Sequence, residues 1–308
     1  MRRASLFVLV LAGCGGDDAV TPVNDAAPDA PPDVPVPPFD PLEGVGTVEK
    51  VPGTFMFTEG PQWRDTQGDL LFTDIPASTI YRLKDGTITP LTTMSGMANG
   101  LALDVDGTLL SARHGSRNIV RGDTELVGEY EGDRFNSPND LVMASNGELF
   151  FTDPPYGLAN PSDAELDFNG VFRRLPDGTL DVIYAGNASA RPNGIGISPD
   201  NTRVYFADTA TSKLWVYLRA GDPPGVVELT GTAAGPDGLA IDTGGNIFVT
   251  TSMGVEAYGP DGHRWGVITL PEQPANCAFG DVDGKTLYIT ARTGLYKVRL
   301  AHAGLPTH

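Results

Sequence analysis

Beyond residue 46 the apolar positions follow a period of two or come in short runs, and no stretch keeps the 3.6-residue period of an amphipathic helix. Ile80-Tyr81-Arg82-Leu83 shows the alternation of a half-buried strand. Turn pairs such as Asp106-Gly107, Asn146-Gly147, Asp177-Gly178 and Asp261-Gly262 separate the apolar runs and supply the positive φ of tight hairpins. The pattern also repeats. Six segments place a polar residue, usually followed by glycine, ahead of an apolar strand, and they begin at Glu59, Asn99, Asn139, Asn193, Asp237 and Asn276. Successive starts lie 40, 40, 54, 44 and 39 residues apart. Four short strands in each unit of about 40 residues predict an all-β chain, a six-bladed β-propeller over residues 47–300. Residues 47–55 are placed to add the strand that closes the last blade, and 301–308 form a tail.

Composition fits this picture and adds an address. The 308 residues include 38 Gly and 26 Pro, which suits many turns. A formal charge of −18 repels polyanions and excludes a nucleic-acid partner. Residues 1–14 read as a lipoprotein signal: Arg2 and Arg3, an apolar run too short to span a bilayer, then Leu11-Ala12-Gly13-Cys14, which resembles a bacterial lipobox with Cys14 as the lipidated residue. Residues 15–46 hold no Lys or Arg and are rich in Asp, Ala and Pro, as in an extended, disordered tether. The expectation is a monomer anchored by lipid in a bacterial cell envelope. Cys277, the second of two cysteines, reads as a lone buried thiol.

The repeat carries the chemistry. First strands of propeller blades line the central channel, so Glu59, Asn99, Asn139, Asn193, Asp237 and Asn276 form a ring at one mouth. Six converging oxygen-bearing side chains repel one another unless a hard cation lies among them. Two carboxylates, amide carbonyls and no sulfur favour one divalent cation, Ca²⁺ first, with Mg²⁺ and Mn²⁺ open; zinc is disfavoured without His or Cys in the ring. Asn-Gly and Asp-Gly can also simply cap a strand by bonding the neighbouring backbone. Variation around the ring, with Glu in the first blade and Asp in the fifth, favours a site over a repeated cap. No Gly-x-Ser-x-Gly elbow, P-loop or dinucleotide fingerprint occurs, which removes the chemistries that need them.

Several motifs resemble the senescence-marker-protein (regucalcin)/gluconolactonase family and, more distantly, paraoxonases and calcium-dependent organophosphate-hydrolysing propellers. They are Thr58-Glu59-Gly60-Pro61, Asn136-Ser137-Pro138-Asn139-Asp140, Phe151-Thr152-Asp153-Pro154-Pro155-Tyr156-Gly157, Pro192-Asn193-Gly194 and Gly235-Pro236-Asp237-Gly238. The resemblance implies calcium held by Glu59, Asn139, Asn193 and Asp237, and a lactonase that opens its ring by attack of a calcium-activated water. Asp237 is then general base, nucleophile or ligand only. His114 is a second catalytic candidate, because the second strand of blade two returns it to the ring face. Asn99, Ser137, Tyr156 and Asn276 are the candidate substrate contacts, with Tyr156 on an insertion over 154–169 read as a wall of the site. Ser137 stands where the animal branch carries a sugar-reading Arg, so that branch's sugar specificity does not transfer. An esterase or phosphotriesterase on the same metal, and a non-catalytic ligand- or protein-binding propeller, remain the alternatives.

Overall fold

The computed structural model describes residues 39–220 and 224–306; Cys14, the signal and most of the tether lie outside the described residues. Six four-stranded antiparallel sheets follow one another. From blade one to blade six the innermost strands are Thr58–Arg64, Ala98–Leu103, Leu141–Met143, Pro192–Ile197, Leu239–Ile241 and Asn276–Gly280. Each neighbours the next, and that of blade six meets that of blade one, which closes the propeller. Blade six is completed by Glu49–Val51, paired antiparallel with Gly294–Arg299 so that Val51 lies opposite Leu295.

The core is six slabs, one between each pair of adjacent blades. Second strands such as Asp69–Asp74 and Leu149–Asp153 are buried throughout because both sheet faces pack on a neighbour. Between blades two and three, Phe151 stacks on Phe172 at 5.2 Å and Phe135 sits edge-on to both. Trp63, Leu70 and Phe72 of blade one pack with Tyr288 and Leu295 of blade six, so the closing seam is as apolar as the rest.

Around the channel the seams are polar and very close. Thr73 donates to the carbonyl of Asn99 at 3.0 Å, Thr152 to that of Asn193 at 2.7 Å, and Thr250 to that of Ala275 at 2.8 Å. The other seams use the amides of Gly100 and Gly194, which donate to Asn139 and Asp237 at 2.8 and 2.9 Å, and Thr58, which donates to Gly294 at 2.9 Å. This proximity explains the glycine after the ring residue in blades one, two, four and five. A Cβ on Gly60 would lie 2.1 Å from the Asn99 carbonyl oxygen, and φ there is +49°. Gly60→Ala therefore adds backbone strain to an unrelievable clash and should cost about 3 kcal/mol. Equilibrium denaturation checks this, and a midpoint equal to wild type would refute the close seam.

Two features interrupt the regular blades. A short hairpin, Glu129–Tyr130 with Asp133–Arg134, lengthens the passage from blade two to blade three. In blade three, residues 154–168 join Asp153 to Asn169 and contain a 3₁₀ turn, Pro161–Asp163, which is the one helical element among the described residues.

Candidate active site at the channel mouth

Each inner strand runs away from the ring, so the connections entering it and the turns between second and third strands share the ring face. An aspartate ending the second strand grips the incoming loop in three blades. Asp74 accepts from the amides of Met56 and Phe57, Asp153 from those of Asn136 and Ser137 at 2.8 and 2.7 Å, and Asp208 from that of Arg191. These charge-assisted bonds fix where the next ring residue emerges. Glu59, Asn99, Asn139, Asn193 and Asn276 are all at most 5% exposed, while Asp237 keeps some contact with the mouth.

The amides of the ring are turned by their partners. Asn193 Nδ2 donates to Thr209 Oγ1 at 3.1 Å, and Thr209 in turn donates to the Pro236 carbonyl at 2.7 Å. Asn99 Nδ2 lies 3.2 Å from His114 Nε2. Burial pushes the His114 imidazole down to about 4, so it is neutral near pH 7. Since an amide nitrogen only donates, Nε2 is the acceptor and the proton rests on Nδ1. Both bonds leave the amide oxygen as the group free to face a ligand.

The carboxylates are crowded. Burial first, then the charges of Asp237 and Asp140, hold the Glu59 carboxyl well above its ordinary range, and one oxygen accepts from the Gly60 amide at 2.9 Å. Burial and then Asp140 push Asp237 up to about 7, against opposing pulls from Arg292 and Asn193. Burial raises Asp140 to about 6. Among the described residues, none of the three has a Lys or Arg nitrogen within ion-pair distance. Nor do three or more His, Cys, Asp or Glu side chains form a ready metal cluster there. A cation would need amide oxygens beside the carboxylates, and the ring offers them. Buried carboxyls with no Lys or Arg in ion-pair contact, beside ring amides whose nitrogens have partners at Thr209 and His114, fit a hard divalent ion.

Asp140 is the residue that the repeat pattern did not single out. It occupies the slot that is glycine in blades one, two, four and five, and its carboxylate crosses the channel to accept from Asn276 Nδ2 at 3.2 Å. An acidic residue in a glycine slot was the available signal. Asn276 is thereby tied below the mouth, its own oxygen accepting from the Cys277 amide. Beneath this crossbar lies an apolar cavity of about 390 Å³, reaching Leu305 and Pro306 at the opposite face. Cys277 is buried there, its thiol pushed up by desolvation, as a structural cysteine should be.

Ser137 is fully buried. Its hydroxyl donates to the Pro154 carbonyl at 2.5 Å and accepts from the Gly157 amide at 2.8 Å, so it holds the 154–168 loop instead of facing the channel. Gly157 in turn packs against His114 and Ser137, where a Cβ would come within 2.7 Å of the former. The loop thus stands over blades two and three at the mouth. Tyr156, beside it, is 44% exposed, and its phenol is raised by burial while interacting with Thr209, Asp237 and Asn193.

A closed six-bladed propeller with an oxygen-lined acidic mouth is the class that fold and site define. Within that class, the sequence pattern of the SMP-30/Gluconolactonase/LRE-like region matches residues 57–293, and the chain belongs to that family. A gluconolactonase of Zymomonas mobilis subsp. mobilis is 36% identical over 302 residues, covering 85% of this chain and 84% of its own. A pentonolactonase of Haloferax volcanii is 28% identical, covering 77% of this chain and 81% of its own. The solved structure of a gluconolactonase from Xanthomonas campestris superposes with a TM-score of 0.77 at 30% identity, covering 83% of this chain and 89% of that one.

Proposed function

We propose that the chain is a divalent-cation-dependent lactonase of the cell envelope. One observation carries the chemistry: Glu59, Asn139, Asn193 and Asp237, from four different blades, bring two carboxyls without an ion-pair partner and two amides to one mouth. Those four residues would hold the ion, with Ca²⁺ best suited to all-oxygen ligands. When bound, the cation would polarise the lactone carbonyl and offset the negative charge that develops on its oxygen. The remaining work falls to side chains. Asp237, which keeps some contact with the mouth, takes the proton from the attacking water. His114 accepts from Asn99 Nδ2 and so fixes that amide, and the 154–168 loop walls the mouth on the side of blades two and three. Lactonase relatives of different sugar classes support the reaction class while leaving the sugar open.

The full chain, assayed on glucono-1,5-lactone with and without chelator, tests this. Hydrolysis should fall at least about a hundredfold on chelation and return with Ca²⁺. Activity indifferent to chelation would remove the cation, and inactivity on lactones, aryl esters and phosphotriesters alike would favour a binding propeller. The anchor is tested separately. Cys14→Ser should move the protein from the membrane to the soluble fraction, and unchanged fractionation would refute lipidation at Cys14.

A further inference from the structure

Apolar side chains are exposed unevenly over the surface. Among the described residues nine large hydrophobic side chains are exposed, and every methionine among them lies on a ring-face loop: Met56, Met94, Met97 and Met253. Met97, 40% exposed, precedes Asn99 by two residues, and its carbonyl accepts from the His114 amide at 3.1 Å. Met56, 62% exposed, precedes Glu59 by three, beside Phe57, whose ring lies 5.1 Å under the Arg292 guanidinium. Met253, 59% exposed, follows Ser252, whose amide donates to the Ala234 carbonyl three residues before Asp237.

By the blade order Met56, Met94 and Met97 lie on the neighbouring rims of blades one and two, while Met253 lies on blade five, with blade six and its Arg292 between. The rim over blades three, four and six is more polar, with Thr209, Arg191 and Arg292, and Tyr156 is its one large exposed hydrophobic among the described residues. From this asymmetry we infer that the substrate is a lactone bearing an apolar substituent, its ring at Asp237 and its substituent lying along Met97, Phe57 and Met56 on blades one and two. The inference rests on the lactonase reading and narrows its substrate class. A bare polyhydroxylated lactone gains nothing from methionines, whereas unbranched, polarisable side chains adapt well to an alkyl chain. Occupation of the whole face by a bilayer fits less well, because half the rim is polar and the chain carries a formal charge of −18.

The test is kcat/KM of the full chain on γ-lactones with unbranched alkyl substituents, from γ-butyrolactone to γ-decalactone. We expect kcat/KM to rise by roughly threefold per methylene over the first few methylenes. In the Met56→Ser/Met97→Ser double variant, the γ-decalactone to γ-butyrolactone ratio of kcat/KM should fall about tenfold, with the thermal midpoint as a folding control. Both positions are exposed, so the variant should fold. Hydrolysis of glucono-1,5-lactone and γ-butyrolactone with a flat or falling chain-length series would overturn this inference alone. A ratio unchanged in the variant would also overturn it. Hydrolysis of no lactone at all would overturn the lactonase reading and this inference with it.

Discussion

Replacing Asp237 with Asn should lower kcat for lactone hydrolysis by about a thousandfold, while the thermal midpoint of the chelated protein stays equal or rises. The rate term follows from losing the group that takes the proton, a role worth about 10² to 10⁴ in rate. The stability term has the opposite sign because Asp237 is crowded by Asp140 in a buried site, and an amide of the same shape removes that repulsion. The pairing of outcomes is what discriminates. A variant that loses activity through misfolding would lose its thermal midpoint as well, and a residue serving only as one ligand would lose cation affinity first. Single-turnover rates at saturating Ca²⁺, with calorimetric cation binding beside them, separate these cases.

The second large effect couples pH to the cation. The carboxyls of Asp140 and Asp237 are raised to about 6 and about 7, and that of Glu59 is raised as well. Between about pH 4, where unfolded carboxylates ionise, and about pH 7, the folded chain binds more protons than the unfolded one. Stability of the chelated protein therefore falls as pH rises through that window. A bound divalent cation reverses the cost by compensating the ionised forms, and it competes with protons for the same oxygens. At 100 times its dissociation constant it contributes about 2.7 kcal/mol, or roughly 5–10 °C in midpoint for a domain of this size. The shift on adding Ca²⁺ should be of that order at pH 8 and small at pH 5. Equal shifts at the two pH values would disconnect the ion from Glu59, Asp140 and Asp237.

Much of this architecture is visible in the unaligned chain because the repeat is strong. A polar residue ahead of an apolar strand recurs six times, with a glycine between them in four blades, and each of those glycines is there for a physical reason, the next blade's backbone lying against it. The closing strand is legible as well, since a ring needs its ends joined, though only Glu49–Val51 of the 47–55 stretch pairs. What stays hidden depends on contacts distant in sequence. Asp140 reads as part of an Asn-Asp-Leu strand start, and only the fold shows its carboxylate reaching Asn276, 136 residues later. Ser137 reads as a substrate contact because of where it stands relative to Asn139, yet its hydroxyl is committed to a loop that begins 17 residues on. The threonine clasps at the seams leave no mark beyond ordinary β-propensity, and the 129–134 hairpin is too short for periodicity to announce.

The pairing of Glu49–Val51 with Gly294–Arg299 also governs the order in which the molecule can be finished. A nascent chain emerges amino end first, so this strand must wait for almost the whole domain to be synthesised before its partner exists. Until then the blade-one side of the slab holding Trp63, Leu70 and Phe72 has no neighbour, because Tyr288 and Leu295 come from the last blade. Five blades can condense in sequence, but the last seam closes only by joining the most distant parts of the chain, which makes closure a slow, high-contact-order step.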